Sequence, residues 1–154
     1  MAAVHARTAV QISVIGSGDE HVERAEEVGR LLAERGATVV CGGLDEVMAA
    51  VARGAKLAGG TTIGVLPGTS RDAANEWIDH AVVTGIGHAR NLAIVASGDA
   101  VIAVGGRWGT VAEIGFARAL GRYVVILEPG LEIEDVPRVA TPAEAVELAL
   151  AAAR

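Results

Sequence analysis

Lysine is almost missing from this chain: among 154 residues there is one, Lys56. A P-loop needs Gly-Lys-Ser/Thr, and pyridoxal phosphate needs a lysine for its Schiff base. Lys56 falls on an expected helix outside any such motif, so both chemistries are excluded. Cysteine is as scarce, and Cys41 alone forms no internal disulfide and no cysteine-based zinc site. The four histidines (His5, His21, His80, His88) show no metal-ligand spacing, so no metal site is expected, and no Gly-x-Ser-x-Gly elbow occurs. Aromatic residues make up only 3%, which leaves the core to Ala, Val, Leu and Ile. No apolar run approaches the ~18 residues of a membrane span. Met1 to Ala9 carries Arg7 but no apolar stretch ending in a cleavage site. The reading is a cytoplasmic protein with a short loose N-terminus over residues 1–9. Net positive charge is also lacking: the formal charge is −6, which argues against nucleic-acid and membrane partners. A small anionic ligand is still compatible, because a few backbone N–H groups hold a phosphate whatever the global charge.

Apolar residues, by contrast, make up 51% and charged residues 21%, which excludes disorder. Glycine is abundant, with 20 residues, nearly double its usual ~7% share. The glycines follow no period of three, so a collagen-like repeat is excluded.

Apolar β-branched runs alternate with helical patterns. Strands are expected at Val10–Ile15, Thr38–Cys41, Thr61–Leu66, His80–Thr84, Ala100–Val104 and Tyr123–Leu127. A first helix capped by Asp19 would close at Gly36, and a second capped by Asp45 would end at Gly59-Gly60. Further helices are expected over Gly87–Ser97, ending at Gly98, and over Thr110–Leu120, ending at Gly121. The last begins at Thr141-Pro142-Ala143-Glu144, a capping box with proline at the first helical position. Residues Thr69 to Asp79 are polar and irregular. Strands separated by helices imply βαβ crossovers. The expected fold is a single doubly wound, Rossmann-like α/β domain over residues 1–154, a parallel sheet with helices on both faces.

Ligands of such sheets bind beyond the carboxyl ends of the strands. Glycines gather at that edge: Gly16 and Gly18, Gly42 and Gly43, Gly68, Gly85 and Gly87, then Gly105, Gly106 and Gly109. Singly they read as tight turns; clustered, they point to a cleft where backbone approaches an anion. Gly16-x-Gly18 meets His21 where a dinucleotide fingerprint needs its third glycine, so that signature is incomplete.

Residues His88 to Phe116 are the most informative. Gly109-Thr110 leads into a helix whose N-terminus offers free N–H groups and a positive dipole end. Glu113 follows Thr110 by three residues, within the expected first turn. T-x-x-E is a capping box, so one reading makes Glu113 a cap. The other aims its carboxylate into the cleft, to orient water or stabilise positive charge on a sugar. Arg90 likewise reads either as a solvated arginine or as a grip on phosphate or a sugar hydroxyl.

These motifs together resemble the LONELY GUY (LOG) family of nucleoside 5′-monophosphate phosphoribohydrolases, formerly labelled lysine decarboxylases. They are similar in particular to its short prokaryotic branch related to molybdenum-cofactor carrier proteins. The PGGxGTxxE motif corresponds to residues 105–113, and the Arg-Lys pair to Arg90-Asn91, with Asp99 before the next strand. Gly42-Gly43-Leu44-Asp45-Glu46-Val47-Met48 corresponds to the family's Gly-Gly-x-x-Gly-x-Met stretch. The resemblance covers roughly Val10 to Leu127.

What the resemblance implies is twofold. Gly106, Gly109 and Thr110 would hold the phosphate, within a ligand-binding set of Gly16, Ser17, Gly42, Gly43, Met48, Gly105, Gly106, Arg107, Gly109 and Thr110. Arg90 and Glu113 would act in catalysis, binding the ribose and supporting an oxocarbenium-like transition state. The activity implied is hydrolysis of a nucleoside 5′-monophosphate to free base and ribose 5-phosphate. The alternative is a non-catalytic carrier of molybdenum cofactor or another pterin or nucleotide ligand. Neither requires a cofactor of its own, the occupant being a nucleotide or a molybdopterin-type ligand. The family also implies a homodimer or higher homo-oligomer, with Phe116 available to an interface. Gly105 replaces the motif proline, and Asn91 replaces the lysine. Arg107 and Glu46 stand where glycine is expected, Arg107 either gripping phosphate or obstructing the loop, Glu46 repelling an anion.

Overall fold

The computed structural model describes residues 8–154, so most of the loose segment expected over 1–9 lies outside the described residues. The apolar runs form seven strands, all paired in parallel: β1 (Gln11–Ser17), β2 (Thr38–Cys41), β3 (Thr62–Leu66), β4 (His80–Val83), β5 (Ala100–Gly105), β6 (Tyr123–Leu127) and β7 (Arg138–Val139). The sheet order is β4-β3-β2-β1-β5-β6-β7. Among the described residues four α-helices lie between strands, α1 (Val22–Glu34), α2 (Val47–Leu57), α3 (Arg90–Ser97) and α4 (Trp108–Ala119), and a fifth, α5 (Pro142–Ala152), follows β7. This is the expected doubly wound α/β architecture. The two-residue β7 was not foreseen, being too short to leave a periodic pattern.

Helices cover both faces of the sheet, so its central strands are buried on either side, whereas the edge strand β4 is largely exposed. Ile12 and Val14 of β1 pack into the core formed with α1, α2 and α5. Ile15 points to the opposite core, which contains Ile94 and Val95 of α3 and Ile114 and Ala117 of α4. Helices α1 and α2 cross closely, because neither partner has a side chain at the crossing. A Cβ on Gly29 would lie 2.0 Å from the Val51 carbonyl oxygen, and one on Gly54 would lie 1.9 Å from that of Glu26. Two glycines in helix interiors thus trade helix propensity for close packing.

Several expected helix ends need correction. α1 begins at Val22 after His21, without a side-chain cap, so Asp19 does not cap it. Glu46, not Asp45, occupies the N-cap position of α2, again without a side-chain cap. Residues Gly87–Ala89 form a 3-10 turn before α3. α4 starts at Trp108, two residues earlier than expected, with Arg107 at its N-cap. The expected end of α3 is present, with Gly98 at its C-cap in an extended conformation at φ −85, and the same glycine permits a close approach: a Cβ there would lie 2.1 Å from Ser13 Oγ. The expected end of α2 at Gly59-Gly60 is present too, with Gly59 at φ 78 and the Gly60 amide donating to the Ala55 carbonyl at 2.8 Å, and a Cβ on Gly60 would also lie 2.6 Å from that of Ala33. The expected cap of α5 is present, Thr141 Oγ1 accepting from the Glu144 amide at 3.2 Å.

Candidate functional site

The chain winds outward from β1 through β2, β3 and β4, then returns to the other side of β1 with β5. The carboxyl ends of β1 and β5 are therefore the switch point of the sheet, where a crevice opens. β1 runs further than expected, and Gly16 and Ser17 pair with Val104 and Gly105 of β5. This pairing sets the loops after the two strands side by side.

A cavity of about 340 Å³ opens there. Its floor is Val14 to Ser17 of β1, and Gly42, Leu44 and Met48 form one wall. Arg90, Asn91 and Ile94 of α3 and Gly109, Thr110 and Glu113 of α4 form the others, with Pro67, Gly87 and His88 at the rim. The tight fit explains Gly42: a Cβ on it would lie 2.4 Å from Met48 Sδ and 3.0 Å from Arg90 Nη2. The loop before α2 is braced from behind, Asn75 Nδ2 donating to the Leu44 carbonyl at 2.7 Å and the Asn75 amide to that of Gly43 at 2.9 Å.

Arg90 opens α3 and is only 7% exposed. Its Nη1 donates to Asn91 Oδ1, and its Nη2 donates to the Gly42 carbonyl at 3.4 Å. Its buried Nε has no protein partner. The Nε of Arg122, away from this cavity, is likewise buried without a protein partner. Burial holds the Arg90 guanidinium below its ordinary pKa, opposed by the charge of Glu113.

Glu113 lies in the second turn of α4 and is 8% exposed. Burial pushes its carboxyl up to about 7, although Arg90 pulls the other way. The capping-box reading of Thr110 and Glu113 is overturned, because α4 starts before Thr110 and lacks a side-chain cap. Buried Thr110 instead packs under the preceding loop: a Cβ on Gly106 would lie 2.3 Å from Thr110 Oγ1. Cys41 lies buried beneath the site, and burial pushes its thiol up to about 11, which leaves it inert as a nucleophile.

Of the residues singled out from sequence, Gly16, Ser17, Gly42, Met48, Arg90, Gly109, Thr110 and Glu113 line this one cavity. Gly43 does not, being packed against Leu66 and Gly64 of β3. Gly106 and Arg107 line a smaller neighbouring cavity of about 120 Å³ with Ser17 to His21. Gly105 faces His21, its Cβ position 2.6 Å from that ring. Arg107 is exposed and does not fill the main cavity. Glu46 lines neither cavity directly, and its carboxylate accepts from the Gly18 amide at 2.6 Å. Leu44, Pro67 and His88 went unassigned, since nothing in their local spacing marks a wall contributed by a distant loop.

Glycine loops on a switch-point crevice place the chain in the doubly wound, Rossmann-like α/β class. More narrowly, it belongs to the SLOG cluster4 family, whose model matches residues 9–152. It is similar to a cytokinin riboside 5′-monophosphate phosphoribohydrolase of Mycobacterium tuberculosis, at 34% identity over 71% of this chain and 64% of that protein. Among solved structures it is similar to a molybdenum cofactor binding protein of Rippkaea orientalis, with a TM-score of 0.88 and 30% identity, covering 95% of this chain and 98% of that one. It is also similar to the molybdenum cofactor carrier protein of Chlamydomonas reinhardtii, with a TM-score of 0.84 and 32% identity, covering 94% and 98%. Among the described residues, no helix is long and apolar enough to cross a membrane.

Proposed function

We propose that the protein binds an anionic, heteroaromatic small molecule, a pterin nucleotide such as molybdenum cofactor, in the cavity between Arg90 and Glu113. The observation that carries this reading is the buried Arg90, whose guanidinium lines the cavity together with Glu113. A guanidinium that lines a cavity supplies charge-assisted donors to a phosphate or a ring carbonyl. The volume of about 340 Å³ suits a small heterocyclic ligand. Free N–H groups at the start of α4 add favourable partial charge for a phosphate. The likeness to two molybdenum cofactor proteins supports pterin as the ring, with the cofactor as cargo.

A second reading, hydrolysis of a nucleoside 5′-monophosphate, is favoured by Glu113. A carboxyl near 7 takes or gives a proton at neutral pH. In that reaction water adds to C1′, the N-glycosidic bond breaks, and the base leaves with the electron pair and takes up a proton. Arg90, always protonated, supplies charge and hydrogen bonds rather than that proton.

We further propose a homodimer. Trp108 is 85% exposed, and Leu92, Phe116 and Leu120 also leave α3 and α4 uncovered. Incubation with AMP and GMP separates the readings of the site. Release of free base that disappears in Glu113→Ala establishes hydrolysis. Saturable binding of molybdenum cofactor or GMP without base release establishes a carrier, and neither binding nor release refutes both.

A further inference from the structure

Glu46 has a backbone conformation that side chains avoid. Its φ is 59 and its ψ −123, the geometry of the first central position of a type II′ turn, where glycine is the favoured residue. A glutamate persists there only if something holds it. The side chain does not cap its own helix, α2. Instead it reaches across to the loop after β1, where its Oε2 accepts from the Gly18 amide at 2.6 Å. That amide belongs to the loop shared by the main cavity and the smaller one: Ser17 lines both, and Gly18 lines the smaller beside Arg107 and His21. The protein therefore supplies its own anion to a backbone donor at the edge of the site.

We infer that Glu46 is a specificity-determining residue, whose carboxylate competes with the anionic group of an incoming ligand for the amide at the end of β1. The inference rests on the reading of the cavity as an anion-binding site and adds which ligands it disfavours. An anionic group approaching Gly18 either displaces Glu46 or meets its charge, so ligands of high negative charge are penalised. Neutral ligands occupying the wall between Arg90 and Glu113 are indifferent to it. Because the Glu46 side chain is exposed, the effect is moderate and screened by salt.

Two variants separate charge from backbone strain. Glu46→Gln keeps the backbone and an acceptor for Gly18 but removes the charge. Glu46→Gly also removes the strain and frees the amide. Calorimetric titration with GMP and with guanosine, at low and at moderate salt, is expected to show GMP binding both variants about fivefold more tightly than wild type at low salt. The difference shrinks as salt rises, and guanosine affinity does not change. Only Glu46→Gly is expected to raise the melting temperature. GMP affinity unchanged or weakened in Glu46→Gln overturns the inference, as does an equal gain for guanosine. If GMP then still binds wild type through Arg90, lost in Arg90→Met, the reading of the cavity stands without Glu46. If no variant binds GMP at any salt, both fail.

Discussion

Arg90 and Glu113 face one cavity from consecutive helices, and each alters the ionisation of the other. The charge of Glu113 supports the protonated guanidinium against its burial, while the guanidinium draws the buried carboxyl back toward ionisation. The guanidinium's hydrogen bonds nevertheless run to Asn91 and Gly42 rather than to Glu113. No hydrogen bond between the two side chains closes the space they face, and their coupling leads to the first two expectations.

The titration of Glu113 sets a pH dependence of stability. Its carboxyl sits at about 7, against 4.5 for an ordinary glutamate. Between those values the folded protein holds a proton that the unfolded chain has released, so stability is lost as pH rises toward 7. Glu113→Gln does not titrate. Its stability relative to wild type should rise between pH 5 and pH 8, by up to about 3 kcal/mol. Urea denaturation at both pH values checks this, and a difference that stays constant across the range contradicts it.

Arg90→Met removes the charge that pulls Glu113 toward ionisation. The Glu113 carboxyl should then titrate above about 7, read by NMR of its side-chain carbon. A titration point unchanged from wild type would show that the two groups do not interact.

The α1–α2 crossing has no room for a methyl group at Gly29 or Gly54. Gly29→Ala and Gly54→Ala should each cost about 1–3 kcal/mol in chemical denaturation, despite the better helix propensity of alanine. Gly68→Ala, where a Cβ meets nothing within 4 Å, should stay within about 0.5 kcal/mol of wild type.

Phe116 stands exposed on α4, near other uncovered apolar residues. Phe116→Glu should convert a dimer to a monomer in sedimentation analysis, since a charge at the centre of an apolar interface is left unpaired. A wild-type protein that sediments as a monomer at high concentration excludes the dimer.

The strands and their parallel arrangement were legible because β-branched runs ending in glycine mark buried strands clearly. Helix starts were less legible. Asp19 and Asp45 satisfy capping preferences, yet α1 and α2 begin elsewhere without side-chain caps. Thr110-x-x-Glu113 matches a capping box, but Thr110 is already inside α4 and buried against Gly106. The glycine-lined edge was readable as a cluster. Which glycines line the cavity was not, since Gly43 and Gly105 meet protein neighbours contributed by distant segments. Spacing along one strand of sequence does not encode those contacts, and the same limit hid the bond between Glu46 and the Gly18 amide.

The most direct test is calorimetric titration of wild type and Arg90→Met with GMP, whose ring shares the amino-oxo edge of a pterin. Wild type is expected to bind saturably at one site, and Arg90→Met at least about tenfold more weakly, as loss of a charge-assisted contact requires. Equal affinity in the two proteins would place any ligand away from Arg90 and contradict the assignment of this cavity.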